Sequence, residues 1–284
     1  MNGIIVVNKK SNLTSRDVVN IANKKLNTKK IGHTGTLDPL AEGVLVLTVN
    51  KATKISELLT NYEKEYIAEV ILGIKTDTLD ITGKIIQKEN IKVTKKQVIN
   101  ALNQMIGSYN QEVPIYSAVK IKGHKLYEYA RNNEDVTLPK REVIIKKLEL
   151  ISEITYIDQN PTFKIRCLVS KGTYIRSLIN DIALKLNTIG IMKSLIRTKQ
   201  GDFSLKQAID IDNISYDKII SLKDCLNNYY QVEINNELYN KIKNGQKLDN
   251  IYNQEIVVFI YNKEVIAIYK KHQDNLLKPW KMFI

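Results

Sequence analysis

Two cysteines, three histidines, six arginines and no long apolar run: what this 284-residue chain is short of already narrows its possible chemistry. Cys167 and Cys225 cannot build a disulfide framework or a thiolate metal site. Three scattered histidines add no ligand cluster, so no metal is expected. Cys167 falls inside an alternating apolar run and reads as a small buried hydrophobe. The apolar run near the N-terminus spans only Ile4 to Val7, too short for a signal peptide, and no segment reaches membrane-spanning length. The expectation is a reducing cytoplasm with no membrane partner.

Lysine is abundant where arginine is scarce. Lysine and arginine total 43 against 30 acidic residues, a formal charge of +13 and a pI near 9.4. Such an excess favours a polyanion, because neutralising phosphates releases condensed counterions. Diffuse lysine with no target is the competing reading. The six arginines are Arg16, Arg131, Arg141, Arg166, Arg176 and Arg197. Each is a better candidate for a forked phosphate or carboxylate contact than any given lysine.

Periodicity predicts the elements. Gly3 to Val7 reads as a strand, and Thr14 with Asp17 three residues on marks the start of a helix over 15–26. Val44 to Val49 is a buried strand. Tyr66, Ala68, Val70 and Leu72 alternate with their neighbours, as do Phe163, Ile165, Cys167 and Val169. Ile175, Leu178, Ile179, Ile182, Ala183 and Leu186 make the apolar stripe of a helix. Strands and helices intersperse without a regular βαβ rhythm, which predicts an α+β fold with a mixed sheet. Residues 205–230 are weakly patterned and read as a connector. Beyond 231, the runs Ile256–Ile260 and Val265–Tyr269 flank Tyr261-Asn262-Lys263-Glu264, a hairpin signal.

The densest stretch is GHTGTLDPLAEGVL, residues 32–45. Its glycines permit close approach and left-handed turns. Pro39 biases Asp38 towards an extended backbone, so one carboxylate is held on a stiff turn. A plain turn closed by an Asx hydrogen bond is the rival reading.

GHTGTLDPLAEGVLVLTVNKATK resembles the signature of the tRNA pseudouridine-55 synthases, the TruB family. KEYIAEVILGIKTDTLDITG (64–83), VPIYSAVKIKGHKLYEYAR (113–131), KGTYIRSLINDIA (171–183) and LIRTKQGDFSL (195–205) follow in the family's order. With the opening GIIVVNKK and LTSRDVVN, the likeness covers the first 205 residues. Two departures stand out: Asn50 replaces a usual glycine before ATK, and NKKSNLTS lacks the proline and glycine common there. Both bear on turn geometry.

The resemblance implies a largely antiparallel sheet flanked by helices, the pseudouridine synthase fold, over 1–205. It implies an RNA-clamping segment at about 111–142, a connector at 206–230 and a small β-rich PUA-like domain at 231–284. An RNA-indifferent β cap is the rival for the last. It implies that a uridine in the T stem-loop of tRNA is isomerised to pseudouridine by a monomer. That reaction transfers nothing to or from outside, so no cofactor is expected.

In that reading Asp38 is the nucleophile, and a nucleophilic carboxylate must be ionised, which a nearby cation favours. The resemblance pairs it with Arg176, whose pattern alone would place it on the polar side of its helix. Tyr66 matches a tyrosine that packs on the target base and helps proton transfer at uracil C5. Tyr174 and Leu195 match positions lining the nucleotide pocket, and His33 one beside the extruded nucleotide. Lys120, Lys125, Arg131 and Arg141 fall in the clamp, interleaved with Tyr116, Tyr127 and Tyr129. Two alternatives stay open: a tRNA-folding chaperone with catalysis secondary, and a synthase directed by guide RNA. A glycosidase of free sugars would also use carboxylates but has no need of +13.

Overall fold

The computed structural model describes residues 1–284. The chain opens with β1 (Gly3–Lys9), α1 (Ser15–Lys25), β2 (Ile31–His33) and β3 (Glu42–Val49). The Thr14 hydroxyl accepts the Asp17 N–H, and the Asp17 carboxylate accepts the Thr14 N–H at 2.9 Å. This reciprocal cap starts α1 where the sequence places it. After α2 (Ser56–Thr60) come β4 (Lys64–Leu72), the ribbon β5 (Ile74–Thr76) and β6 (Ile85–Lys88), α3 (Lys95–Gln104) and β7 (Gly107–Glu112).

An excursion then carries the ribbon β8 (Lys120–Ile121) and β9 (His124–Lys125) and the short α4 (Leu126–Asn132). β10 (Lys140–Leu150) returns with Lys140 opposite Glu112, so residues 113–139 leave the sheet and rejoin it at one point. β11 (Thr155–Ile157), β12 (Asn160–Val169), α5 (Ile175–Lys185) and β13 (Gly190–Gln200) follow. The short strands β14 (Phe203–Ser204), β15 (Ile209–Asp210) and β16 (Ile220–Ser221) come next, β15 and β16 pairing with β1.

Twelve strands form one mixed sheet with the path β15-β1-β3-β13-β4-β12-β10-β7. Only β15 with β1 and β3 with β13 pair in parallel; every other pair in this sheet is antiparallel. Strand alternation gives the sheet two apolar faces. Ile5, Val7, Leu45 and Leu47 pack with Val18, Val19 and Ala22 of α1 and with Leu178, Ile179 and Ile182 of α5.

The opposite face meets the C-terminal part. After α6 (Leu222–Cys225), β17 (Tyr230–Glu233), α7 (Asn236–Lys243), β18 (Leu248–Asp249), β19 (Ile256–Tyr261), β20 (Glu264–Lys271) and β21 (Leu276–Met282) build a second sheet, ordered β17-β19-β20-β21-β18. Asn262 and Lys263, both at positive φ, turn the β19–β20 hairpin as the sequence indicates. Val258, Ile260, Val265 and Ile268 of this sheet share one core with Ile4, Val6, Val44 and Val46 of β1 and β3. No helix is long and apolar enough to cross a membrane.

The two departures from the family pattern preserve their turns. Asn12 stands at φ 67° and Asn50 at φ 55°, left-handed positions that asparagine tolerates better than other side chains. Asn50 also accepts the Thr28 hydroxyl at 2.8 Å and donates to the Met1 carbonyl at 2.8 Å. The Asn12 N–H donates to the Pro39 carbonyl at 2.9 Å, tying this turn to the loop that carries Asp38.

Candidate active site

The loop between β2 and β3 is pinned from every side. Asp38 opens a turn closed by the Ala41 N–H on the Asp38 carbonyl at 3.0 Å, with Pro39 in the second position that type I and II turns favour. Buried Ser15, at the start of α1, accepts the Leu37 N–H at 2.9 Å and donates to the Leu37 carbonyl at 3.2 Å. Lys9 Nζ donates to the Pro39 carbonyl at 3.2 Å, and Arg197 donates to the Gly35 carbonyl at 3.0 Å. At Gly43 (φ 101°) a Cβ would lie 2.3 Å from the Arg197 carbonyl oxygen, so only glycine lets β3 approach β13 this closely. The Asp38 carboxylate is thus held by backbone geometry and stays partly open to solvent.

Arg176 Nε lies 2.9 Å from Asp38 Oδ2. Arg176 is only 5% exposed, so it is not the surface residue its helical pattern suggests. Nor does it grip Asp38 with two parallel bonds. Its other two nitrogens donate to the Thr78 and Tyr116 carbonyls, each at 3.0 Å. The guanidinium therefore ties three segments together: the Asp38 loop, the β5–β6 turn and the start of the excursion. Asp80, buried, lies 4.0 Å from Arg176 Nε through Oδ2. Its Oδ1 accepts the Thr78 hydroxyl (2.8 Å), the Thr82 N–H (3.0 Å) and the Thr82 hydroxyl (2.6 Å).

Asp38, Tyr66, Tyr174, Arg176 and Leu195 line one pocket of about 270 Å³, near the lower bound of small-ligand sites and suited to a single planar ring. Tyr66 faces it from β4 as the cross-strand partner of Cys167 on β12 and Arg197 on β13. Burial raises the Tyr66 hydroxyl pKa, while the Arg197 guanidinium beside it works in the opposite direction. Tyr174 caps the start of α5. Its N–H donates to Gln111 Oε1 at 2.7 Å and its carbonyl accepts from Gln111 Nε2 at 3.1 Å. Leu195 contributes an apolar wall.

His33 stands apart from the other residues expected around the nucleotide. It ends β2 outside the lining of this pocket, with its Nδ1 enclosed and without a partner. Burial, and then the charges of Arg16 and Arg197, lower its pKa and favour the neutral ring.

Lysines surround the loop. Lys9 and Lys64 are buried, with Nζ held by backbone carbonyls: Lys10, Leu13 and Pro39 for Lys9, Thr60 and Tyr62 for Lys64. Burial lowers the pKa of each to about 8. At the pocket rim, exposed Arg141 lies across Gly172, its Cδ 3.1 Å from where a Cβ would stand, beside exposed Lys171. On the excursion Lys120 and Lys125 are cross-strand partners, and Lys125 and Arg131 both lie over the Tyr127 ring, at 5.3 and 5.2 Å from its centroid.

Sequence reasoning assigned no role to Asp80, Lys9 or Lys64, and none to Arg197 beyond its place among the six scarce arginines. The threonines around Asp80 in TDTLDITG are the one local cue to a constrained carboxylate. The buried cations carry no cue, because their partners are carbonyls distant in sequence.

A model of the TruB family pseudouridylate synthase N-terminal domain matches residues 23–175. The tRNA pseudouridine synthase B of Caldicellulosiruptor saccharolyticus is 46% identical over 248 residues, covering 87% of this chain and 84% of its own. That of Mycoplasma mycoides subsp. mycoides is 42% identical over 284 residues, covering 97% and 95%. Among solved structures, an H/ACA ribonucleoprotein bound to a substrate RNA containing 2'-deoxyuridine superposes with a TM-score of 0.72 at 22% identity, covering 99% of this chain and 85% of that one. The last is a likeness of fold.

Proposed function

The chain belongs to the TruB family of pseudouridylate synthases, and from that membership we propose that the tRNA uridine it isomerises lies in the T stem-loop, at position 55, with Asp38 as nucleophile. Conversion of a tRNA uridine to pseudouridine is the family activity, and curated relatives match the chain over nearly its whole length. The observation that carries the residue assignment is the 2.9 Å contact between Arg176 and Asp38 on the wall of a ring-sized pocket.

Isomerisation breaks the bond from uracil N1 to the ribose, turns the base, and forms a bond from C5 to the same carbon. The C5 proton leaves and N1 gains one, so no atom is gained or lost. Asp38 supplies the electron pair that assists departure of the base, and Arg176 keeps that carboxylate oriented. Tyr66 and Leu195 hold the detached ring, while Tyr174 completes the wall. His33, neutral and flat, flanks the gap left by the extruded nucleotide.

The RNA is gripped around this pocket. Arg141 at the rim and Lys120, Lys125 and Arg131 on the excursion present charge interleaved with tyrosine, the combination that suits phosphates and unstacked bases. Residues 1–205 act as the catalytic unit, 206–230 as the connector and 231–284 as a PUA-like RNA-binding module. The protein works as a cytoplasmic monomer. Purified protein alone should form pseudouridine in an unmodified T-arm transcript; a strict need for a guide RNA would remove this reading.

Charge gives a second test. Log affinity for tRNA falls linearly with log salt, and neutralising Lys120 and Lys125 together reduces the slope by about one unit for each phosphate those lysines engage. An unchanged slope in filter-binding titrations returns this stretch to an ordinary solvated surface.

A further inference from the structure

Arg197 is the most deeply buried arginine of the site, at 1% exposure. A buried guanidinium ordinarily has a carboxylate partner, because removing the charge from water costs several kcal/mol. Arg197 has none within 4 Å: its Nε donates to the Val44 carbonyl at 2.6 Å and its Nη2 to the Gly35 carbonyl at 3.0 Å. The ion pairs of the neighbourhood belong instead to Arg176. Carbonyl dipoles fix the orientation of Arg197 but leave its charge uncompensated.

Beside that charge stands a tyrosine able to become an anion. Tyr66 is the direct cross-strand partner of Arg197, and both side chains line the Asp38 pocket. The other titratable groups around the pair do not stabilise a phenolate as Arg197 does. Asp38 on the loop and Cys167 on β12 oppose ionisation of Tyr66. Lys64 on the same strand as Tyr66 is committed to carbonyls at 2.6 Å, and Lys9 on β1 to carbonyls at 2.6 and 3.2 Å. Arg176 on α5 is committed to Asp38, and His33 on β2 favours its neutral form.

We propose that Arg197 is the positioning residue that stabilises the deprotonated Tyr66 hydroxyl, so that Tyr66 can accept the proton from uracil C5. This deepens the reading of the site given above and rests on it. The step balances: the C5–H bond breaks, its electron pair restores the uracil π-system, and the proton forms an O–H bond on Tyr66. Tyr66 then releases that proton to water while N1 takes one up. The two carbonyl contacts fix the guanidinium before substrate arrives, so the charge need not reorganise during the step.

The test is a direct titration. Residue 66 is replaced by 3-fluorotyrosine in the full chain and its ionisation followed by ¹⁹F resonance, with Arg197 intact or changed. Arg197→Gln removes the charge and should raise the midpoint by at least about one pH unit. Arg197→Lys keeps a charge but cannot hold both carbonyls and still reach the phenol, and should raise it less. A midpoint unchanged in a variant that still melts cooperatively overturns the proposal. If the Gln variant fails to fold, the Lys variant decides on the same criterion.

Activity supplies the second readout. Single-turnover rates at neutral pH should fall at least tenfold in the Lys variant, recover partly as pH rises, and leave the tRNA Kd within threefold. In a Tyr66→Phe background the same change should cost nothing further; an equal loss there overturns the proposal. Absence of pseudouridine formation by the unaltered protein would count against the function itself and leave the ¹⁹F titration readable.

Discussion

Asp38→Asn abolishes turnover yet leaves tRNA affinity within about tenfold, or about 1.4 kcal/mol, of the unaltered protein. The amide oxygen can still accept from Arg176 Nε, and the loop is held by Ser15, Lys9, Asn12 and Arg197 through backbone atoms that the substitution leaves alone. Geometry therefore survives while the nucleophilic charge disappears. Binding draws on lysines, arginines and tyrosines spread over the rim and the excursion, none of which changes. A loss of at least about 10⁴-fold in the single-turnover rate corresponds to about 5.4 kcal/mol of barrier. Detectable multiple turnover by the Asn variant, prepared free of other synthases, removes Asp38 from the reaction. It would also revive the chaperone alternative, in which binding alone is the purpose.

The next largest effect belongs to Arg176. Arg176→Lys retains a cation but has one nitrogen where three are in use. It cannot reach Asp38 and still donate to both the Thr78 and Tyr116 carbonyls. The chemical step should slow at least about tenfold, about 1.4 kcal/mol, with tRNA binding nearly intact. Arg176→Met should slow it about a further tenfold. It also strips two carbonyls of their donor and leaves buried Asp80 without a nearby cation, so its melting temperature falls as well. Rates are therefore compared beside melting curves and tRNA Kd values. Unchanged single-turnover rates in the Lys variant would return Arg176 to a structural role.

What could be read in advance and what could not divide along physical lines. Asp38 is legible because local chemistry, a proline after it and glycines around it, stiffens the loop before any tertiary contact forms. The apolar stripe of α5 and the alternation of β4 and β12 are legible because they follow the period of their own element. Arg176 escapes that logic. Its helical position is polar by pattern, and only the β5–β6 turn and the excursion folding over the start of α5 bury it. The expected two-pronged grip on Asp38 fails for the same reason: two nitrogens are claimed by carbonyls about 60 and 98 residues away in sequence. Residues 205–230 look unpatterned because β15 and β16 span two residues each and exist through pairing with β1. The left-handed turn at Asn50 could be anticipated, since asparagine is the common substitute where glycine is usual.

The core shared by the two sheets has a consequence for cooperativity. β1 and β3 present alternate residues to α1 and α5 on one side and to β19 and β20 on the other, so the two layers are clamped by the same pair of strands. Severing the chain before β17 would uncover much of the face formed by Ile4, Val6, Val44 and Val46. Burial of each such side chain contributes about 1.5–3 kcal/mol, a large share of the roughly 5–15 kcal/mol by which native domains are stable against unfolding. The C-terminal sheet is therefore part of the foundation of the loop that carries Asp38, and slow amide exchange in β3 should be lost together with that in β19 and β20 as denaturant is raised.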